Sequence, residues 1–144
     1  MSKYYFAYGS NLNLEQIKHR CKDVIKVGSV ILKGYELEFR YYLTIKENKN
    51  SEVPLGIFKI SSDDELNLDI YEGYPHFYRK EELSIDFNDE KITGIIYIMN
   101  ENTRNIMPPN QTYLNTCLKG YQDFDFDEKY LRLAYKNSLS EVRK

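Results

Sequence analysis

Tyr5-Phe6-Ala7-Tyr8-Gly9-Ser10-Asn11-Leu12 starts as an apolar, aromatic run and ends abruptly in Gly-Ser-Asn. Such a run reads as a buried strand that stops at a tight turn. Asn13-Leu14-Glu15-Gln16 follows with the form of a helix capping box, Asn13 as N-cap and Gln16 reaching back. The segment is therefore strand, small-residue turn and helix. In such a turn Gly9 can take a positive φ and Ser10 is small. The backbone N–H groups of residues 9–12 can then converge on one space and form an anion-binding nest near a helix N-terminus. Gly-Ser-Asn is also ordinary turn chemistry, and most such turns bind nothing. The stretch gains weight from a second one, Tyr71-Glu72-Gly73.

Outward from the turn, residues 14–21 predict the first helix, with Leu14, Ile17 and Cys21 on one face. Val24 to Leu32 is β-branched and apolar, and Tyr35 to Leu43 alternates apolar and polar residues, so each reads as a strand. The two are expected to pair antiparallel with Lys33-Gly34 at the turn. Residues 46–52 are charged and Asn-rich, which predicts a surface loop, a candidate for disorder or for a lid. Pro54 to Ile60 is a further strand. Ser62-Asp63-Asp64-Glu65 is a second capping box, opening a helix that Gly73 stops. Tyr78 to Phe87 and Lys91 to Met99 predict two strands around Asn88-Asp89-Glu90. Helices are expected at about Gln111 to Gly120 and Asp127 to Ser140. Neighbouring strands joined by short turns argue for an α+β antiparallel sheet or barrel, with the terminal helices over one side, and against a parallel Rossmann sheet.

The chain has 144 residues, enough for one domain with a sizeable core, and no internal repeat or linker divides it. The formal net charge of -2 gives no electrostatic footprint for nucleic acid or an anionic membrane. No apolar run approaches the length of a transmembrane helix, and Met1-Ser2-Lys3 leads straight into a strand, so neither a signal peptide nor a membrane span is expected. Cys21 and Cys117 form no CxxC. Free thiols in a reducing cytoplasm are the simplest reading, with a buried disulfide between them as the alternative. Oligomeric state has no signature in the sequence.

Glu72 is the candidate catalytic residue. It lies in the last turn of a helix, where the negative end of the dipole disfavours a carboxylate, and Asp69 one turn back adds more negative charge. Both effects raise the pKa of a partly buried carboxyl, and a raised pKa suits a general base near neutral pH. The alternative is a solvated Glu that tolerates a small penalty. Tyr78 and Arg79 alternate on the strand that follows, so one of them can face a pocket beside Glu72 while the other points away. His76 is a lone loop histidine and stays outside the catalytic set.

Tyr8-Gly9-Ser10-Asn11-Leu12, then Leu68-Asp69-Ile70-Tyr71-Glu72-Gly73 and Tyr78-Arg79, together with the late segment from Tyr113 through Gly120-Tyr121 to Asp127, resemble the γ-glutamylcyclotransferase-like superfamily of the AIG2-like small-protein type. The resemblance spans most of the chain. It implies a mixed, mostly antiparallel β-barrel flanked by helices, with a cavity between the Tyr8–Leu12 loop and Glu72. It implies a reaction in which the α-amine of a γ-glutamyl group attacks its own γ-amide carbonyl, releasing 5-oxoproline and an amine or amino acid. Glu72 is then the base, and no metal or cofactor is used. Gly9, Ser10, Asn11 and Leu12 would hold the substrate carboxylate or the developing oxyanion through their amides. Tyr8, Tyr78 and Tyr113 would form hydrogen-bonding walls, Tyr78 by the family pattern and Tyr113 by a weaker carry-over. The implied partner is a small γ-glutamyl molecule. The leaving group could be an amino acid, an amine or the amine of an acylated natural product, read by loops such as residues 45–53 and 99–110.

Other chemistries fit less well. Two histidines and two cysteines have no zinc-ligand spacing. Asp123, Asp125 and Asp127 imitate the start of an EF-hand, but Glu128 and Ala134 stand where glycine and glutamate are needed. Ser10 has no GxSxG elbow, and there is no P-loop or GxGxxG. The rival of a different class is a non-catalytic module that binds a small molecule or a partner with the same cavity. Such a scaffold has no need of Glu72.

Overall fold

The computed structural model describes residues 2–142. The opening aromatic run is strand β1, Ser2–Ala7. Four further strands follow: β2 (Ile25–Arg40), β3 (Tyr42–Ser61), β4 (Tyr78–Phe87) and β5 (Glu90–Met99). They form one sheet in the order β2-β3-β1-β5-β4, with β1 antiparallel to β3 and parallel to β5. A strand in the middle of a covered sheet must be apolar on both faces. Tyr5, Phe6 and Ala7 are accordingly all buried. The helices are α1 (Leu14–Arg20), α2 (Ser62–Glu72), α3 (Gln111–Asp123) and α4 (Lys129–Val142).

This is the α+β, mostly antiparallel architecture expected, with one difference. The sheet does not close into a barrel, because among the described residues no ladder joins β2 to β4. The start of β3 reaches the end of β5 through a side chain instead, Thr44 Oγ1 accepting the Met99 amide at 3.0 Å.

Three local expectations are corrected. Lys33-Gly34 is no turn. Gly34, at φ +90°, sits at a register shift inside a continuous β2, so the strand bends there and carries on. The reversal comes at Tyr41, at φ 69°, between the paired residues Arg40 and Tyr42. Its amide donates to the Met107 carbonyl at 3.1 Å and its hydroxyl accepts from Asn110 Nδ2 at 2.6 Å. Residues 46–52 belong to β3 rather than to a surface loop. Lys46, Glu47 and Glu52 are paired with β2, and only residues 48–51 lack ladder partners. Lys46 is held there by Glu36 at 3.1 Å and Glu38 at 3.0 Å. Finally, the capping box of α2 is shifted by one residue. Ser61 Oγ accepts the Asp64 amide, and Asp64 accepts the Ser61 amide, both at 3.1 Å.

The turn after β1 is anchored from below. Leu12 is fully buried, and two glycines make room for it. A Cβ on Gly56 of β3 would lie 2.5 Å from Leu12 Cδ2, and one on Gly120 of α3 would lie 2.7 Å from Leu12 Cβ. Asn13 caps α1 as expected, its Oδ1 accepting the Gln16 amide at 3.0 Å. Gln16 does not reach back. Its Oε1 accepts from Arg20 Nη2 at 3.0 Å instead.

Candidate active site

A cavity of about 350 Å³ opens between the turn after β1 and the C-terminal end of α2. Gly9, Ser10 and Asn11 line it from the turn, Glu72 and Gly73 from the end of α2. The sheet and α3 supply an aromatic wall that includes Tyr5, Tyr8, Tyr42, Phe77, Tyr78, Tyr97 and Tyr113. Glu72 reaches the cavity because Gly73, at φ +65°, ends α2 in a left-handed cap and turns the chain away behind it.

The sequence-predicted residues are brought together with one exception. Glu72, Tyr8, Gly9, Ser10, Asn11, Tyr78 and Tyr113 all line the cavity. Leu12 does not. Its side chain is the buried anchor described above, and its amide is spent on the Gly9 carbonyl at 3.0 Å, closing a 3-10 turn over Ser10–Leu12. The possible nest is thereby shortened to the amides of Gly9, Ser10 and Asn11, which meet no acceptor among the described residues. Gly9 does not use a positive φ; it sits at φ −126°, ψ −131°. Tyr78 faces the cavity, while Arg79 turns away to Glu81 at 2.5 Å.

The tyrosine hydroxyls are largely committed to backbone. Tyr8 donates to the Tyr97 carbonyl and Tyr78 to the Leu43 carbonyl, both at 2.6 Å. Tyr113 accepts the Leu43 amide at 3.1 Å. A Cβ on Gly9 would lie 3.5 Å from that Tyr113 oxygen, so the turn and the α3 tyrosine are direct neighbours.

Glu72 is half-buried, yet protein encloses its carboxylate closely enough that desolvation pushes its pKa up to about 8. The Arg20 guanidinium acts in the opposite direction. The raised value was expected, but from the helix end and Asp69. Asp69 contributes nothing because its charge is neutralised: Lys80 Nζ lies 3.0 Å from Oδ1, and the Tyr97 hydroxyl donates to the same oxygen at 2.6 Å. Asn11 Nδ2 reaches Glu72 Oε1 at 3.4 Å and donates to the Tyr5 hydroxyl at 3.0 Å.

Several contributors lay outside the sequence reading. Arg20, in the last turn of α1, donates to Asn11 Oδ1 at 2.8 Å and lies 3.5 Å from the Tyr71 ring centre. A basic residue at a helix C-terminus reads only as a dipole partner. Tyr5, Tyr42, Phe77 and Tyr97 read as strand or loop aromatics, with no local signal that sends them to a cavity. Of the loops expected to read a leaving group, residues 45–53 and 99–110 contribute nothing to the lining. Among the described residues, no three His, Cys, Asp or Glu side chains gather as a metal would need. Cys21 and Cys117 are both free and buried. No helix of the described residues is long and apolar enough to cross a membrane.

A family model described as gamma-glutamyl cyclotransferase, AIG2-like, matches residues 5–128. No curated protein matches the chain by sequence. Among solved structures, one described as a gamma-glutamyl cyclotransferase superposes with a TM-score of 0.79 at 22% identity, covering 93% of this chain and 86% of its own. An uncharacterized Homo sapiens protein gives 0.79 at 23% identity, covering 92% and 86%. A Bacillus subtilis protein gives 0.75 at 20% identity, covering 96% of this chain and 55% of its own. At these identities the structural likeness speaks for the fold.

Proposed function

The chain belongs to the gamma-glutamyl cyclotransferase, AIG2-like family, and from that premise we propose that it cleaves a γ-glutamyl amide by intramolecular cyclisation. The α-amine nitrogen attacks the γ-carbonyl carbon, the C–N bond to the leaving amine breaks, and 5-oxoproline and that amine are released. The observation that carries the reading is one carboxylate, Glu72, facing a closed-in aromatic cavity together with the Gly9-Ser10-Asn11 turn.

In this reading Glu72 takes the proton that the attacking amine must lose and gives it to the departing nitrogen, so that an amine leaves and the carboxylate is restored. A pKa near 8 suits that task, because the group then accepts a proton readily and is ionised in a useful fraction at neutral pH. The free amides of Gly9, Ser10 and Asn11 hold the substrate carboxylate or the oxyanion that forms on the γ-carbonyl oxygen. Tyr113 stands next to Gly9, and with Tyr8 and Tyr78 it forms walls that keep the glutamyl group folded on itself. The two reacting groups are already linked in one molecule, so the protein's part is to hold the folded conformer and to stabilise the charge that develops. All of these steps use protein groups alone. The two unpaired, buried thiols fit a reducing cytoplasm.

The test is release of 5-oxoproline from γ-glutamyl amino acids, glutathione and γ-glutamylamines, wild type beside Glu72→Gln. Release by wild type that the variant loses is the expected result, and the best substrate names the leaving group. Binding without release across the panel, equal in the two proteins, would instead mark a non-catalytic small-molecule module.

A further inference from the structure

Which edge of the Asn11 carboxamide faces Glu72 decides what that carboxylate is bonded to, and Asn11 does not settle this alone. Its side chain is almost fully buried, 3% exposed. Nδ2 donates to the Tyr5 hydroxyl at 3.0 Å and points at Glu72 Oε1 at 3.4 Å, while Oδ1 accepts from Arg20 Nη1 at 2.8 Å. The two ends of a carboxamide are nearly the same size, so the partners decide the orientation. Tyr5 tolerates either end, since a phenol both donates and accepts. A guanidinium only donates. Arg20 therefore draws the oxygen to itself, in the same sense as an ionised Glu72, which only accepts, and leaves the NH2 edge on the carboxylate.

Arg20 is itself clamped. Its Nη2 donates to Gln16 Oε1 at 3.0 Å, one turn back on α1. Its guanidinium lies over the Tyr71 ring, 3.5 Å from the centre. Its backbone carbonyl accepts from Asn67 Nδ2 of α2 at 3.0 Å. The Tyr71 hydroxyl in turn meets Ser10 Oγ at 2.9 Å. Contacts through Arg20 thus tie α1, the Gly9–Asn11 turn and the end of α2 into a ring around Glu72. Arg20 does not line the cavity, so it acts on substrate only through these neighbours.

We propose, resting on the cyclotransferase reading of Glu72, that Arg20 is a positioning residue: it locks the Asn11 amide with its donor edge on Glu72 and fixes Tyr71 against the turn, so that the carboxylate meets the substrate amine in one orientation. The titratable or charged groups that face Glu72 are Arg20 from α1, Tyr5 from β1, Tyr8 just after it, Tyr71 from α2, Tyr78 from β4 and Tyr113 from α3. Burial raises the pKa of all five tyrosines, so they stay neutral in the working range. Arg20 is the one charge among the described residues that bears on Glu72.

The test uses Arg20→Met, Arg20→Lys and Asn11→Ala with two readouts. One is the pH dependence of kcat and KM on the best γ-glutamyl substrate. The other is an NMR titration of the Glu72 carboxyl carbon in the ligand-free protein. For Arg20→Met, kcat is expected to fall about ten- to a hundredfold with a smaller change in KM. The Glu72 midpoint should move upward by about one pH unit. Arg20→Lys keeps the charge and should restore much of the midpoint but less of kcat. In an Asn11→Ala background, Arg20→Met should cost little further kcat. A purely structural Arg20 would lower the melting temperature while leaving the Glu72 midpoint and the profile of the folded fraction unchanged, and that outcome overturns the proposal. If Arg20→Met does not fold, Arg20→Lys and Asn11→Ala decide. The NMR titration needs no substrate, so a wild type inactive on every compound would overturn the cyclotransferase reading while the Arg20 measurement still stands.

Discussion

Replacing Glu72 by glutamine should change how stability depends on pH. In the unfolded chain this carboxyl titrates near 4.5, in the folded protein near 8. Between those values the folded protein keeps a proton that the unfolded chain has released, so stability falls as pH rises across that window and the loss is complete above about 8. At about 1.4 kcal/mol per pH unit, and discounting for the part of the side chain open to the cavity, the loss is on the order of 2–4 kcal/mol. Glu72→Gln removes the ionisation and keeps the shape. Urea denaturation of both proteins from pH 5 to pH 9 isolates the effect, because every other titrating group cancels in the difference. Near pH 5 the two should be about equally stable, and by pH 9 the variant should be the more stable by that margin. A difference that stays constant across the range would refute the claim that burial, rather than a solvated position, governs this carboxylate. The expected pattern also means that the native residue is held at a cost in stability, as a functional carboxylate often is.

Gly56→Ala should destabilise the protein by about 1–3 kcal/mol, read as a lowered urea midpoint, since the new methyl lies 2.5 Å from Leu12 Cδ2 and 2.8 Å from Phe124 Cζ. Cys21 and Cys117, whose burial pushes both thiols up to about 12, should be silent toward a chromogenic thiol reagent in the folded protein and react fully once it is denatured.

What could be read from the sequence is what neighbours along the chain decide. The strand, turn and helix of residues 5–20 and the Gly73 stop of α2 follow from aromatic runs, caps and a left-handed glycine, all local chemistry. Glu72 and the Gly9–Asn11 turn were legible as a pair because each breaks a local rule or supplies free amides. The reversal at Tyr41 was not, because Arg40-Tyr41-Tyr42 carries no breaker and is held by Met107 and Asn110 from far along the chain. Gly34 looked like a turn because a glycine at positive φ serves bends and bulges equally. Burial, not Asp69, raises the Glu72 carboxyl, and the Lys80 of β4 that pairs with Asp69 is a partner that no spacing in α2 announces. Arg20 was missed because its work is done on Asn11 and Tyr71, across three elements.

The central strand β1, antiparallel to one neighbour and parallel to the other, has a consequence for how the molecule is assembled. The hairpins β2-β3 and β4-β5 each form from contacts between adjacent segments. β1 bonds to one member of each hairpin, so the five-stranded sheet is complete only when all three pieces are together, through pairings between segments far apart in sequence. The turn at Gly9–Asn11 hangs from the end of that strand, whereas Glu72 belongs to the segment between the hairpins. The two halves of the cavity therefore meet only through long-range contacts, such as that of Ser10 with Tyr71. A ligand that spans them needs both halves in place, so its binding stabilises the folded state over the unfolded chain.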